Sequence, residues 1–221
     1  MKALVVADVE SRSLWDFYNP SKVEGVNVVF ACGDLDKNYL EFLATVVNKP
    51  VFYVRGNHDY RYHETPPEGC ICVEDTIYDF HGLRIMGLGG SMKYGVYPDM
   101  YTEAQMAKRI RKLAGLMMFM NGFDVLLAHA PCLGHGDLED LPHMGFDCFN
   151  DLLLKQKPAY MFHGHVHQEY GGFVRERIHE SGTKIINGYD HVIVDLPDAC
   201  HPAHGATGNG IYDWYVKTFH R

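Results

Sequence analysis

Short apolar runs organise the chain, and five of them end at a polar residue able to bind a metal. Ala3–Ala7 stops at Asp8, and Val26–Ala31 passes Cys32 and Gly33 into Asp34. Val51–Val54 leads to Gly56-Asn57-His58-Asp59, Val125–Ala128 stops at His129, and Tyr160–Phe162 runs into His163-Gly164-His165-Val166-His167. Runs of this length read as buried strands. Between and after them the pattern changes to helical spacing. A helix is expected near Asn38–Val47. Thr76–Phe80 and Leu83–Leu88 flank His81-Gly82, the signature of a tight hairpin. Gly87, Gly89 and Gly90 then mark a loop in which backbone approaches another group closely. Thr102-Glu103-Ala104-Gln105 has the capping-box pattern and opens a helix to about Met120. Its Met106, Ile110, Leu113, Met117 and Met120 recur at helical spacing and read as a core-facing stripe. A third helix covers about Phe146–Lys155, and strands near Lys184–Asn187 and His191–Asp195 follow. This alternation predicts an α/β fold of two packed sheets with helices outside.

Ligands of open α/β sheets bind at the carboxyl ends of the strands. Five strand ends meeting at one rim would gather two Asp, one Asn and several His, a set suited to two metal ions. The chain has 221 residues, 47% of them hydrophobic, enough for one domain with a sizeable core. No linker, repeat or low-complexity run divides it. The net charge is −8, and the basic residues cluster only at Lys108-Arg109 and Arg111-Lys112. That balance argues against nucleic-acid binding through phosphates, and it suits an anionic substrate only where metals supply local positive charge. The first apolar run is too short for a signal peptide and is cut by Asp8; no run reaches the ~18 apolar residues of a membrane span. Cysteines 32, 70, 72, 132, 148 and 200 read as reduced thiols, so a cytoplasmic location is expected. Cys70-Ile71-Cys72 reads as two small strand residues, because no partner pair follows.

Taken in order, Asp8-Val9-Glu10, Gly33-Asp34, Gly56-Asn57-His58-Asp59, His129 and Gly164-His165-Val166-His167 resemble the motifs of the calcineurin-like metallophosphoesterase superfamily: D-x-H, GD, GNH(D/E), H and GHxH. The resemblance covers about residues 1–196. His129-Ala130-Pro131 with Gly134 and Asp137 looks most like the small bacterial and brain-type branch, whereas Gly33-Asp34-Leu35-Asp36-Lys37-Asn38 departs from the Ser/Thr protein phosphatases. The resemblance implies a four-layer αββα sandwich and a dinuclear hydrolase of phosphate esters, monoester or diester, that uses a metal-activated hydroxide. It implies Asp34 as the bridging ligand, Asp8 and His167 with Glu10 at one site, and Asn57, His129 and His165 at the other. His58 corresponds to the general acid. Glu10 stands where the family usually has His, and it reaches the metal directly or through a water. Lys37 stands where protein phosphatases place the Asp that orients this His, leaving Asp36 or Asp59 as substitutes. The mixed O/N ligand set suits divalent or mixed-valence ions, with Mn or Fe expected and Zn or Ni compatible. The alternative is a catalytically weak scaffold of the same fold, or a binding protein. A nuclease is disfavoured by the acidic balance.

Arg61 and His63 after the third motif, and His135 and Asp137 after His129, are expected at the substrate rim, with Lys93, Tyr94 and His143 near them. His163 is assigned a supporting role, and His81, His179, His191 and His220 structural ones. The expected partner is a small phosphorylated substrate, with no nucleic acid or membrane; homo-oligomerisation is left open. Residues 197–221 form a tail beyond the family-like core, holding Cys200, His201, His204 and the aromatic stretch Ile211-Tyr212-Asp213-Trp214-Tyr215. Its aromatics predict packing on the domain, on itself or on a neighbouring subunit, and a metal site from Cys200, His201 and His204 is the minor reading.

Overall fold

A computed structural model of the protein describes residues 1–171 and 173–219; His220 lies outside them. Along the chain β1 (Lys2–Ala7), β2 (Val28–Ala31), α1 (Lys37–Val47), β3 (Val51–Tyr53) and β4 (Ile71–Cys72) build the first half. The hairpin of β5 (Ile77–Phe80) and β6 (Leu83–Leu88) follows, then the short ribbon β7 (Ser91–Met92) and β8 (Met100–Tyr101). Next come α2 (Glu103–Lys112), α3 (Ala114–Met120), β9 (Val125–Ala128), α4 (Asp147–Gln156) and β10 (Tyr160–His163). β11 (Glu176–Ile178), β12 (Lys184–Asn187), β13 (Asp190–Asp195) and α5 (Gly210–Phe219) complete the order.

Two mixed sheets carry the fold, in strand orders β13-β1-β2-β3-β4 and β11-β12-β10-β9-β6-β5. β1 to β4 run parallel with β13 antiparallel at one edge. In the second sheet β12, β10, β9 and β6 run parallel between antiparallel edges. The side-chain period of two explains why the runs look uniformly apolar: both faces of each sheet are covered. Val5, Phe30, Phe52, Ile85, Leu127 and Phe162 point between the sheets. Their neighbours Leu4, Val6, Val29, Val51 and Tyr53 pack beneath α1 with Tyr39, Leu40 and Leu43. Met86, Leu88, Leu126, Ala128 and Met161 pack instead against Met106, Phe149, Leu153, Tyr212 and Val216 of the helices on the far side. The result is the expected four-layer αββα sandwich.

Several details differ from the sequence expectation. The helix expected from Thr102 to Met120 is two helices. The capping box of Thr102 and Gln105 is present, but Leu113 turns out of register, its N–H bonding to Ile110. The methionine stripe crosses this break without losing its facing: Met106, Leu113 and Met120 are buried. β2 begins at Val28, not Val26. The hairpin turn at His81-Gly82 is as expected, with both residues at positive φ, 52° and 100°. In the tail, α5 buries Tyr212 and Val216, and the Tyr212 hydroxyl donates to Asp79 at 2.5 Å. Cys200, His201 and His204 form no ligand cluster among the described residues.

Candidate metal centre

Parallel strands deliver their carboxyl ends to one rim, and the chain leaves three of them in an unusual way. Asp8, Asp34 and His165 have φ of 65°, 55° and 70°, the left-handed region that costs a non-glycine residue about 1–3 kcal/mol. Each is held there through its backbone N–H. Asp8 donates to the Gly33 carbonyl at 3.1 Å, Asp34 to the Asp59 carboxylate at 2.7 Å, and His165 to the Asp8 carboxylate at 2.9 Å. These bonds tie the rim together: His165 to Asp8, Asp8 to the residue before Asp34, and Asp34 to Asp59. Two glycines make room for this. A Cβ at Gly56 would stand 2.0 Å from Asp34 Oδ1, and one at Gly164 would stand 2.6 Å from Asp8 Oδ2.

His129 is fully buried, and its Nδ1 lies 2.7 Å from the Cys32 carbonyl. A carbonyl only accepts, so the ring donates there, and in a neutral ring Nε2 carries a lone pair. That lone pair faces Asn57 Oδ1 at 3.1 Å and Asp34 Oδ2 at 3.4 Å. Three lone pairs directed at one point require a proton or a cation between them. With only a proton available, burial opposes charge on both side chains, but their mutual attraction wins: it holds Asp34 down at about 2 and raises His129 to about 9. A metal fits the same geometry by displacing that proton. Asp34, His129 and His165 each place a ligand atom within 4.8 Å of the others. His165 donates Nε2–H to the Pro142 carbonyl at 2.6 Å, which leaves its Nδ1 as the lone pair. Burial, then the charge of His129, lowers His165 to about 3, so this ring stays neutral. On the other side of the cluster, Asp8 lies 3.7 Å from His167 Nε2, and its carboxylate raises the pKa of His167.

The remaining expected site residues are placed as follows. His58 donates its backbone N–H to Asp34 Oδ1 at 2.8 Å, and its ring, 68% exposed, has Nε2 3.9 Å from Asp34 Oδ2. Neither expected orienting partner touches that ring. Asp36 caps α1 through the Asn38 N–H, and Asp59 turns inward to accept the N–H groups of Asp34 and Gly56 from one oxygen. Burial, then the nearby Asp34 charge, raises Asp59 to about 7. Glu10 accepts the Asp36 N–H at 2.8 Å, so its carboxylate is tied to the start of α1 beside the centre. Arg61 is exposed over the Tyr60 ring. His63 pairs with buried Asp99 at 2.9 Å, and Asp99 also holds Arg55. Asp137 closes its own loop by accepting the N–H groups of Gly134 and Gly145, and His135 faces Glu180. Buried His163 bonds the Gly164 carbonyl, and burial lowers it to about 4. One contact escaped the sequence: the Tyr94 hydroxyl accepts from Asn57 Nδ2 at 3.0 Å, which turns the Asn57 carbonyl oxygen towards His129.

The fold and this rim define a class. The model of the calcineurin-like phosphoesterase family matches residues 1–169, and the chain belongs to that family of metal-dependent phosphoester hydrolases. Among curated proteins it is similar to the UPF0046 protein C25E10.12 of Caenorhabditis elegans, 29% identical over 141 residues, which is 58% of this chain and 47% of the relative. A second C. elegans relative, UPF0046 protein T07D4.2, is 30% identical over 103 residues, 46% of this chain and 25% of its own length. The chain therefore spans less than half the length of either relative. Among solved structures, TT1561 of Thermus thermophilus is similar in fold, with a TM-score of 0.61 at 15% identity, covering 86% of this chain and 89% of that one. Among the described residues no helix is long and apolar enough to cross a membrane.

Proposed function

We propose that the protein hydrolyses phosphate esters at a dinuclear metal centre. In this reading Asp34 would be shared by the two ions, Asp8 and His167 would hold one with Glu10 beside it, and Asn57, His129 and His165 would hold the other. The observation that carries the reading is the convergence of His129 Nε2, Asn57 Oδ1 and Asp34 Oδ2 on one point at 3.1 and 3.4 Å from the imidazole nitrogen. The nitrogen and oxygen donors suit borderline cations, with Mn or Fe favoured and Zn or Ni accepted. When bound, two such ions would neutralise the phosphate oxygens and make hydroxide available near neutral pH.

The chain's own groups do the rest. His58 stands at the exposed side of Asp34 and protonates the leaving oxygen as general acid. Tyr94 holds the Asn57 amide in the orientation that presents its carbonyl oxygen. Arg61, exposed beyond His58, offers charge to a phosphoryl oxygen. His63, His135 and Asp137 are engaged with Asp99, Glu180 and the Gly134 and Gly145 amides, so their contribution to substrate binding is through loop shape. The substrate is a small phosphorylated molecule. Six free cysteines favour a cytoplasmic location.

The test is chelation followed by metal addition, with nitrophenyl mono- and diesters as substrates. Turnover should vanish on chelation and return with Mn²⁺ or Fe²⁺, and the ratio of the two rates assigns the ester class. Full turnover by thoroughly metal-free protein would overturn the proposal.

A further inference from the structure

We propose that His135, His179 and Glu180 form a separate site for one divalent cation of the zinc type, which staples the loop of residues 130–146 to the β11–β12 turn. The three residues come from different segments. His135 sits in the loop after β9, on a tight turn in which its N–H bonds the Cys132 carbonyl between Gly134 and Gly136, both at positive φ. His179 and Glu180 begin the turn that leaves β11.

The spacing is that of a coordination shell. His135 Nε2 and His179 Nε2 stand 3.4 and 3.2 Å from the same oxygen, Glu180 Oε2, and each residue offers a donor atom within 4.8 Å of the others. A tetrahedral ion with bonds of about 2.0–2.1 Å has its ligand atoms roughly 3.3–3.4 Å apart. Two edges of that tetrahedron are thus already in place. The rings meet at 4.7 Å between centroids and 53° between planes, converging rather than stacking.

Hydrogen bonds behind His179 fix the position of its ring. Thr183 donates its hydroxyl to the Pro158 carbonyl at 2.7 Å, so it accepts the Ser181 hydroxyl at 2.8 Å. The Ser181 backbone N–H can only donate, so at 3.1 Å it makes Nδ1 of His179 the acceptor, and in the neutral ring the Nε2 proton faces Glu180 Oε2 at 3.2 Å. Burial, then the neighbouring His135, lowers the pKa of His179. A cation bound at Nε2 would displace that proton, and Nδ1 would then donate to Ser181 Oγ, 2.9 Å away, as the Ser181 N–H contact lengthens. The Glu180 side chain is 71% exposed, so the fourth vertex opens to water, while that of His179 is 1% exposed and supplies the fixed anchor. Arg177 lies by Gly136 and His163 and acts on His163. Two nitrogens and one carboxylate oxygen select a borderline cation. Loading would fix the loop that carries the Pro142 carbonyl, the acceptor for His165.

The proposal does not depend on the dinuclear reading, and the experiment separates them. Wild type, His135→Ala, Glu180→Ala and Asp34→Ala are equilibrated with Zn²⁺, freed of excess metal and measured by elemental analysis, with far-UV circular dichroism as the folding check. His135→Ala and Glu180→Ala, both partly exposed sites, should each hold one equivalent fewer than wild type with unchanged spectra. Asp34→Ala should keep that equivalent, and Zn²⁺ should slow amide exchange across residues 132–145 in it. Equal zinc in wild type and His135→Ala, or no zinc retained by Asp34→Ala, would overturn the site.

Discussion

Asp59 gives the sharpest test of how the centre is built. One of its oxygens, Oδ2, accepts the Asp34 N–H at 2.7 Å and the Gly56 N–H at 2.8 Å, in a residue only 5% exposed. Asp59→Ala leaves both donors without a partner, at about 1–3 kcal/mol each. The wild-type carboxylate is itself disfavoured by burial beside Asp34, which offsets part of that loss. A net destabilisation of about 2–4 kcal/mol follows, or roughly 5–15 °C in Tm for a domain of this size. Because both bonds run to a single oxygen, Asp59→Asn can keep both with its one carbonyl oxygen. It should stay within about 1 kcal/mol of wild type. Asp34 would lose its restraint at φ 55° in the Ala variant alone, so metal affinity should fall there and persist in Asn. Urea unfolding of the three proteins, with metal content after dialysis, measures both effects. An Ala variant within about 0.5 kcal/mol of wild type, or an Asn variant as unstable as Ala, would refute this account of the clasp.

Three further outcomes are expected. His58→Ala should lower turnover of an ester with a poor leaving group by about 10²–10⁴-fold while keeping its metals; a wild-type rate would remove His58 as the acid. Glu10→His should move the acidic limb of the pH–rate profile to lower pH and shift metal preference towards Zn, and it should cost about 1 kcal/mol by releasing the Asp36 N–H; an unchanged profile and preference would place Glu10 outside the reach of the metals. Asp213 is lowered because hydrogen bonds from the Thr207 N–H and hydroxyl and the Gly208 N–H outweigh the penalty of burial. A depressed carboxyl stabilises above its unfolded value and loses that stabilisation as pH falls through its folded value, so amide protection in residues 208–219, corrected for the intrinsic exchange rate at each pH, should fall on acidification below about pH 4, and Asp213→Asn should abolish that acid dependence; a limb that survives in the Asn variant contradicts the assignment.

The strands and the rim were legible because parallel strands covered on both faces leave an unbroken apolar run that stops where the sheet stops. Asp8, Asp34 and His129 are each the polar residue at such a stop. What sequence could not show is where side chains turn once the chain leaves the strand. Asp59 follows His58 and looks like its partner, yet the turn carries its carboxylate back to the Gly56 N–H. His63 and His135 sit beside the motifs but find Asp99 and Glu180, which are distant in sequence. Tyr94 reaches Asn57 from the glycine-marked loop for the same reason. The break at Leu113 was hidden because the apolar spacing from Met106 to Met120 is the same on both sides of it. The Thr102 capping box, by contrast, is a contact among neighbours and was readable.

The most direct measurement of the central claim is the metal content of the purified protein set against that of Asp34→Ala, by elemental analysis at matched concentration after identical loading with Mn²⁺. A bridging Asp34 predicts that the variant holds up to two equivalents fewer than wild type while its far-UV spectrum is unchanged. Equal metal content in the two folded proteins would contradict a dinuclear centre built on Asp34.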